Sequence, residues 1–162
     1  MARVYLEKHS GSPLFSIEGT VGPGMNNARG DVQLVQLFLY ATLHSQKIFL
    51  AGNTVFTPPS GPALALSGLW DGTSAAYLTR WEQLRGEAKA YWAHGVTEPV
   101  QFAGKVVPYT KGGKKIIAMN EMCRIFYGDA ALYSMKLPNV MVPSELAQEI
   151  LWDSMRGPGG GS

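Results

Sequence analysis

Few residues in this sequence have the types and spacing that catalysis or metal binding requires. His9, His44 and His94 lie far apart, and no two of them have the spacing of metal ligands on one helix. The chain has a single cysteine, Cys123, and no Gly-x-Ser-x-Gly motif of a serine nucleophile. Cys123 falls on the apolar face of a predicted helix, which favours a small core residue over a nucleophile. We therefore predict a protein that is not an enzyme and that uses no metal and no cofactor.

One short basic run has the composition of a phosphate site. Gly112, Gly113, Lys114 and Lys115 precede a predicted helix, where backbone N–H groups and lysines attract anions. The run lacks the spacing of a phosphate-binding loop, so we interpret it as a solvated helix entry. The net charge of +2 and the scattered basic residues also give no indication of a nucleic-acid partner.

The composition supports a binding surface more than it supports catalysis or metal binding. Hydrophobic residues make up 46% of the chain and charged residues only 16%, which indicates that a partner covers part of the surface. Aromatic residues outside the core would suit a platform for sugar rings or a protein interface, and methionines suit an adaptable contact. The residues concerned are Trp70, Trp81, Tyr91, Trp92, Tyr133, Trp152, Met122, Met135, Met141 and Met155.

A mainly helical fold with a small β part must position these side chains. The stretch over residues 31–46 is apolar on almost every side, so we expect a helix at the centre of the domain. Asp31 is expected to cap the first turn of that helix. Before this helix, residues 3–7 and 14–21 show the alternation of side chains that is typical of β-strands, and a Ser-Gly-Ser-Pro turn lies between them. This pattern predicts a β-hairpin.

Helical spacing of apolar residues recurs later in the chain. It predicts a second helix from residue 73 or 74 to about 91, a third over 114–127 and a last over 143–155. Gly86, inside the second of these, is interpreted as a bend. The other predicted segments are a long irregular loop over residues 48–62 and a strand over 105–109.

Two patterns in the first half of the chain have a characteristic spacing. The first comprises Gly30, Asp31, Val32, Val35, Gln36 and Leu39, and the second comprises Ser67, Gly68, Trp70, Asp71, Ser74, Tyr77, Leu78, Trp81 and Glu82. Together they resemble the peptidoglycan-binding-like domain, a small three-helix module of cell-wall enzymes and phage endolysins. The spacing matches throughout, while Ser67, Asp71, Ser74 and Glu82 replace the Asp, Gly, Thr and Gln of the family pattern.

The resemblance implies a fold and a binding region. It implies that Gly68 permits a tight turn, that Trp70 fills the core and that Ser74 caps the second helix. A wall glycan or peptide is expected near the second pattern. The binding residues that we predict on this basis are Asn26, Asn27, Trp70 and Asp71.

We expect a single domain over residues 1–156. It would contain the hairpin at 1–21, a three-helix peptidoglycan-binding-like core at 22–92 and an extension with two helices at 93–156. A Gly-rich tail follows at 157–162.

The predicted function is a non-catalytic binding or interaction protein. The resemblance implies bacterial or phage origin, with peptidoglycan, another glycan or a protein as the partner, within a secretion or phage-type assembly. The alternative is a structural subunit that self-assembles into a filament, tube or shell and has lost wall binding. The sequence shows no signal peptide and no apolar run of bilayer length, so we expect synthesis in the cytoplasm without membrane insertion.

Overall fold

A computed structural model describes residues 1–8, 10–49, 54–86, 95–100, 102, 104–107 and 114–155. Within these residues the chain forms five helices and five short strands, which confirms an α fold with a small β part. The elements are β1 (Arg3–Glu7), β2 (Pro13–Ser16), α1 (Arg29–Leu43), β3 (Ile48–Phe49), β4 (Thr54–Val55), α2 (Gly72–Arg85), β5 (Val106–Val107), α3 (Lys115–Tyr127), α4 (Asp129–Ser134) and α5 (Ser144–Ser154).

The predicted central helix is α1, and it lies in the middle of the core. Thirteen of its 15 residues are buried. It contacts α2, α3 and α5. A helix that is apolar on nearly every side needs such neighbours on several sides to keep it from water. The central position predicted from the sequence is confirmed, although the helix ends at Leu43 rather than at residue 46.

Asp31 does not cap α1, so that prediction is wrong. The residue before the helix is Ala28, which makes no side-chain cap. Asp31 is instead fully buried, and its carboxylate accepts hydrogen bonds from the backbone N–H of Glu18 at 3.2 Å and of Gly19 at 3.0 Å. The carboxylate therefore ties the chain that leaves β2 to the first turn of α1.

The predicted hairpin is confirmed and belongs to a three-stranded sheet. β1 lies in the middle, antiparallel to β2 and parallel to β5. The side chain of Asn120 on α3 accepts from the N–H of Phe15 and donates to its C=O, both at 2.8 Å. This pair of bonds satisfies backbone groups that the outer edge of β2 would otherwise leave unpaired.

Two segments differ from the predicted loop and strand. Residues 48–62 are not irregular throughout, because β3 and β4 pair there in an antiparallel arrangement, with Ile48 opposite Val55. The predicted strand at 105–109 is present as β5, and its last two residues lie outside the described ones.

α2 ends at Arg85 rather than near residue 91. Gly86 has a φ of 74°, and its N–H donates to the C=O of Glu82 at 3.1 Å. Glycine takes this left-handed conformation without strain, so Gly86 ends the helix instead of bending it. Residues 87–94, including the predicted aromatic residues Tyr91 and Trp92, lie outside the described part of the chain.

The two predicted C-terminal helices are α3 and α5, and the structure adds α4 between them. α4 has six residues, which is too short to show a helical period in the sequence. The described part of residues 22–92 contains two helices, α1 and α2, so a three-helix core within that range stays a prediction.

Candidate functional site

The two sequence patterns that resemble the peptidoglycan-binding-like domain meet at the turn that leads into α2. Gln36, fully buried on α1, accepts a hydrogen bond from the N–H of Gly68 and donates to the C=O of Leu69, both at 3.0 Å. Gly68 has a φ of 80°, and a Cβ there would lie 2.5 Å from Cγ of Arg29, so this turn requires glycine. The other buried residues of the two patterns are Gly30, Asp31, Val32, Val35, Leu39, Ser74, Tyr77, Leu78 and Trp81.

The cap of α2 is Asp71 and not Ser74, which corrects another prediction. The Asp71 carboxylate accepts hydrogen bonds from the backbone N–H of Ser74 at 2.8 Å and from its hydroxyl at 2.7 Å. These bonds hold the pKa of Asp71 below its usual range. The Ser74 hydroxyl is also 3.0 Å from the amide nitrogen of Gln36. Asp71 therefore has a structural role at the start of α2.

The two asparagines predicted to bind a ligand lie in the loop before α1. Asn27 has a φ of 51°, and its side chain accepts from the N–H of Gly22 at 2.9 Å and donates to the C=O of Gly22 at 2.8 Å. Those bonds close the loop and occupy the side chain. Asn26 is exposed and lies against Gly19. In the described part of the chain, no hydrogen bond joins either asparagine to Trp70 or Asp71.

Trp70 fills the core only in part. Its ring packs against the core but the residue is half-buried. The indole N–H is buried and has no acceptor among the described residues. An unpaired buried donor costs about 1–3 kcal/mol, and a bound polar group would remove that cost. Of the four predicted binding residues, Trp70 thus has a buried polar atom without an acceptor among the described residues.

The groups considered for chemistry are held in structural contacts. His44 lies with its Nε2 2.8 Å from the Tyr77 hydroxyl and stacks on Tyr40, with ring centroids 4.0 Å apart. Burial lowers the pKa of His44 and raises that of Tyr77, so both side chains favour the neutral form. His9 and His94 lie outside the described residues. The described part of the chain contains no group of three or more side chains that could bind a metal ion.

Cys123 is a core residue, as predicted. It is fully buried, and burial raises the pKa of its thiol well above the ordinary value. Because the thiolate is the nucleophilic form, this environment disfavours reactivity.

The lysines of the basic run are paired with carboxylates. Lys114 Nζ lies 2.9 Å from Glu98, while Lys115 Nζ contacts Glu82 and donates to the C=O of Val96 at 2.6 Å. Burial lowers the pKa of Lys115. Gly112 and Gly113 lie outside the described residues. A phosphate would have to compete with these carboxylates for both lysines.

A groove that the sequence analysis did not predict opens between the sheet, α4 and α5. It has a volume of about 420 Å³. Its floor is formed by side chains of the sheet, among them Val4 and Phe15, and its walls include Met135 after α4 and Ile150 on α5. Met135 has a φ of 56° and ends α4 after six residues, so this helix does not extend over the sheet. The groove is the space that the two helices leave uncovered.

Large apolar side chains stand exposed around this groove and along α5. We call them the α5 patch, and they are Leu6 (36% exposed), Val106 (58%), Tyr133 (62%), Leu151 (60%), Trp152 (65%) and Met155 (72%). The first four of these also line the groove. Trp152 does not line the groove and lies on another flank of α5, three residues after Glu149, whose carboxylate accepts a hydrogen bond from the backbone N–H of Ala2 at 3.0 Å.

An ion network holds α5 against the sheet beneath the patch. Asp153 is fully buried, and its carboxylate accepts from the N–H of Val4 at 2.7 Å, from Arg3 Nη1 at 3.0 Å and from Lys105 Nζ at 2.5 Å. Among the described residues that line the groove, only Lys105 is charged. Its charge is therefore balanced by a carboxylate that lies below the surface.

The serines that line the groove are also satisfied within the chain. The Ser134 hydroxyl donates to the C=O of Ala130 at 2.9 Å, and the Ser154 hydroxyl donates to the C=O of Leu151 at 2.7 Å. A partner in the groove would meet mainly apolar surface. The sequence analysis had singled out Tyr133 and Met135, which line the groove, and Trp152 and Met155, which do not. It contained no signal that Leu6 and Val106 share the groove with Tyr133 and Met135.

Comparison of the chain with known protein families, with curated proteins and with solved structures found no match. Within the described ranges, no helix is both long enough and apolar enough to cross a bilayer.

Proposed function

We propose that this chain is a non-catalytic interaction protein that binds a protein partner through the α5 patch and the groove beside it. The observation that carries the proposal is the group of four large, exposed, apolar side chains that line a groove whose lysine and serine groups are already bound within the chain.

The shape of the surface favours a protein over a small molecule. A ligand inside the 420 Å³ groove would contact the four patch residues that line it, but not the exposed Trp152 on α5 or Met155 after it. Exposed aromatic and Met side chains beside a groove are typical anchors of protein interfaces. A macromolecular partner would cover both parts at once.

The absence of catalysis belongs to the same proposal. Three observations support it: Cys123 is buried with a raised pKa, Lys114 and Lys115 pair with carboxylates, and His44 binds Tyr77. From the resemblance to the peptidoglycan-binding-like domain, we further propose a bacterial or phage protein that works within a larger assembly. The contacts of Gln36 with the turn at Gly68 support that fold assignment, because they join the two signature segments.

A photo-cross-linking experiment tests the interaction function. Benzoylphenylalanine replaces Leu151, which is 60% exposed in the patch, or Leu69, which is 66% exposed outside it. The chain is produced in cells of its source organism and irradiated there. We expect a discrete protein adduct from position 151 and none from position 69. Equal labelling at both positions, or no adduct at position 151, would contradict the proposal.

A second candidate function, wall-glycan binding, is favoured by the buried indole N–H of Trp70 that lacks an acceptor among the described residues. Sedimentation with purified peptidoglycan sacculi tests it. Trp70→Ala should reduce co-sedimentation, whereas Trp152→Ala, which removes a tryptophan from the α5 patch, should not. Equal co-sedimentation of wild type and a folded Trp70→Ala variant would exclude Trp70 from a glycan site.

A further inference from the structure

We propose that the partner enters the groove with a segment in which a large apolar side chain stands next to a lysine or arginine, and that Asp129 receives the positive charge. The inference rests on the proposed function, because it takes the groove as the binding surface, and it adds the chemistry of the segment that binds there. Three observations support it: a second recess beside the groove, an exposed carboxylate in that recess and a buried carboxylate next to it.

The second recess adjoins the groove and has a volume of about 250 Å³. It is lined by residues 10–13, 129–130 and 133, and we call it the Asp129 recess. Pro13 and Tyr133 line both the groove and the Asp129 recess. Because these two residues belong to both walls, a segment that fills the groove can continue directly into the recess. Neighbouring side chains of one partner segment would then occupy the two sites.

The groove and the Asp129 recess differ in polarity. The groove is mainly apolar, and the charged residue among its described lining, Lys105, has a side chain that is 15% exposed and lies 2.5 Å from Asp153. In the recess the charged residue is Asp129, and its side chain is 54% exposed. An approaching partner therefore meets the exposed carboxylate rather than the covered ammonium group. Complementarity favours an apolar side chain in the groove and a cation in the recess.

The Asp129 carboxylate can accept further hydrogen bonds. Its Oδ1 lies 2.8 Å from Nε of Arg124, and its Oδ2 accepts from the hydroxyl of Ser12 at 3.0 Å. A carboxylate has about four acceptor sites, so these contacts leave acceptor sites for a partner. Arg124 lines neither the groove nor the recess, and its guanidinium also donates to the C=O of Pro13 at 2.9 Å. A cation of the partner could therefore bind Asp129 without displacing Arg124.

A buried carboxylate beside the recess adds to its negative charge. This residue is Glu7 at the end of β1, which is 7% exposed. Its side chain accepts a hydrogen bond at 2.8 Å from the hydroxyl of Ser10, which lines the recess. Within the part of the chain that the structure describes, Glu7 forms no ion pair. A buried charge costs free energy unless it is paired, so a positive charge brought into the recess would also stabilise Glu7.

Three probes of equal chain length test this chemistry on the purified full chain. Octylammonium combines an apolar chain with a cation, octanol has the chain with a neutral head, and octanoate has the chain with an anion. Affinities are measured by titration in nitrogen–proton correlation spectra at low salt. We expect octylammonium to bind about 10-fold more tightly than octanoate, with octanol between them, and to shift the backbone signals of Leu151 and Asp129.

Asp129→Asn should remove the preference for octylammonium and leave the affinity for octanol unchanged. The matched control is Glu98→Gln. Glu98 is also an exposed carboxylate in an ion pair, at 2.9 Å from Lys114 and with a side chain 41% exposed, but it lines neither the groove nor the recess. The control should keep the preference. Equal affinities of the three probes, tighter binding of octanoate, no binding of octylammonium, or an unchanged preference in Asp129→Asn would each overturn the inference.

Cross-linking from position 151 in cells separates this inference from the proposed function. Asp129→Lys should abolish the adduct, whereas Glu98→Lys should not, and mass spectrometry should find a lysine or arginine next to a large apolar residue in the cross-linked segment. If Asp129→Lys leaves the adduct unchanged, or the segment lacks such a pair, the interaction function stands and the basic segment is excluded. If position 151 gives no adduct in the otherwise unchanged chain, both proposals fail.

Discussion

Replacement of Asp153 by alanine tests the ion network that holds α5 on the sheet. The carboxylate is fully buried and, among the described residues, accepts hydrogen bonds from Val4 N–H at 2.7 Å, Arg3 Nη1 at 3.0 Å and Lys105 Nζ at 2.5 Å. Alanine would leave two cations, with side chains 12% and 15% exposed, without this carboxylate. It would also leave a buried N–H without its acceptor, at about 1–3 kcal/mol.

The expected loss in the free energy of unfolding is about 3–5 kcal/mol, the range for removing one partner of a buried ion pair. The matched control is Asp129→Ala. Asp129 also pairs with an arginine, Arg124, at 2.8 Å, but its side chain is 54% exposed. An exposed pair contributes about 0–1 kcal/mol, so the control should change stability little.

Equilibrium urea unfolding followed by far-ultraviolet circular dichroism measures both variants. All proteins are compared at one concentration, because self-association would make stability depend on concentration. The stabilising role of the buried carboxylate would be refuted if the two variants lost free energies of unfolding within about 1 kcal/mol of each other. Burial of the Asp153 carboxylate and its hydrogen bonds would then contribute nothing to stability. Asp153→Asn should lie between the two, because the amide keeps an acceptor for the Val4 N–H but loses the charge.

Three further predictions concern the core, a helix end and a histidine. Trp81 is fully buried on α2, so Trp81→Ala should cost about 3–5 kcal/mol, and a near-neutral thermal shift would rule out this packing. Gly86 has a φ of 74° with open space around its Cβ position, so Gly86→Ala should cost about 1 kcal/mol through backbone strain alone. Gly72→Ala, in the first turn of α2 and also in open space, should not destabilise, and equal urea midpoints for the two variants would contradict the assignment of Gly86 as the helix end. Burial lowers the pKa of His44 in the folded state below the ordinary value of 6.5, so the unfolded chain binds this proton more readily. The contribution of His44 to stability should therefore be full above pH 6.5 and should fall as the pH decreases through that value. His44→Gln should make the urea midpoint depend less on pH in this range. A variant with the same pH dependence as the wild type would contradict the buried neutral ring.

The elements that depend on local pattern could be predicted. Residues 31–46 predicted a central helix because few polar side chains interrupt the apolar ones, and α1 is buried as expected. Alternation predicted the hairpin of β1 and β2. Helical spacing placed Leu78, Trp81 and Cys123 in the core, where the structure has them. Periods of 3.6 and 2 residues report which face of an element is buried, and that information is contained in neighbouring residues.

Polar side chains were harder to assign, because their partners lie far away in sequence. Asp31 and Ser74 both have the residue type of a helix cap, but Asp31 binds backbone N–H groups of Glu18 and Gly19, and Ser74 donates to Asp71. The sequence shows that such a residue stands near a helix start. It does not show which donors or acceptors the folded chain brings within 3 Å of it.

The groove and the α5 patch were decided by tertiary structure. The sequence determined that apolar and aromatic residues exceed what a core requires, and it pointed to Tyr133, Trp152 and Met155 among them. Only the fold placed Tyr133 in one groove with Leu6 and Val106, by pairing β5 with β1 in parallel and by ending α4 at Met135. Whether an apolar side chain is buried or exposed depends on the surface that distant elements leave uncovered, and a local pattern does not contain that surface.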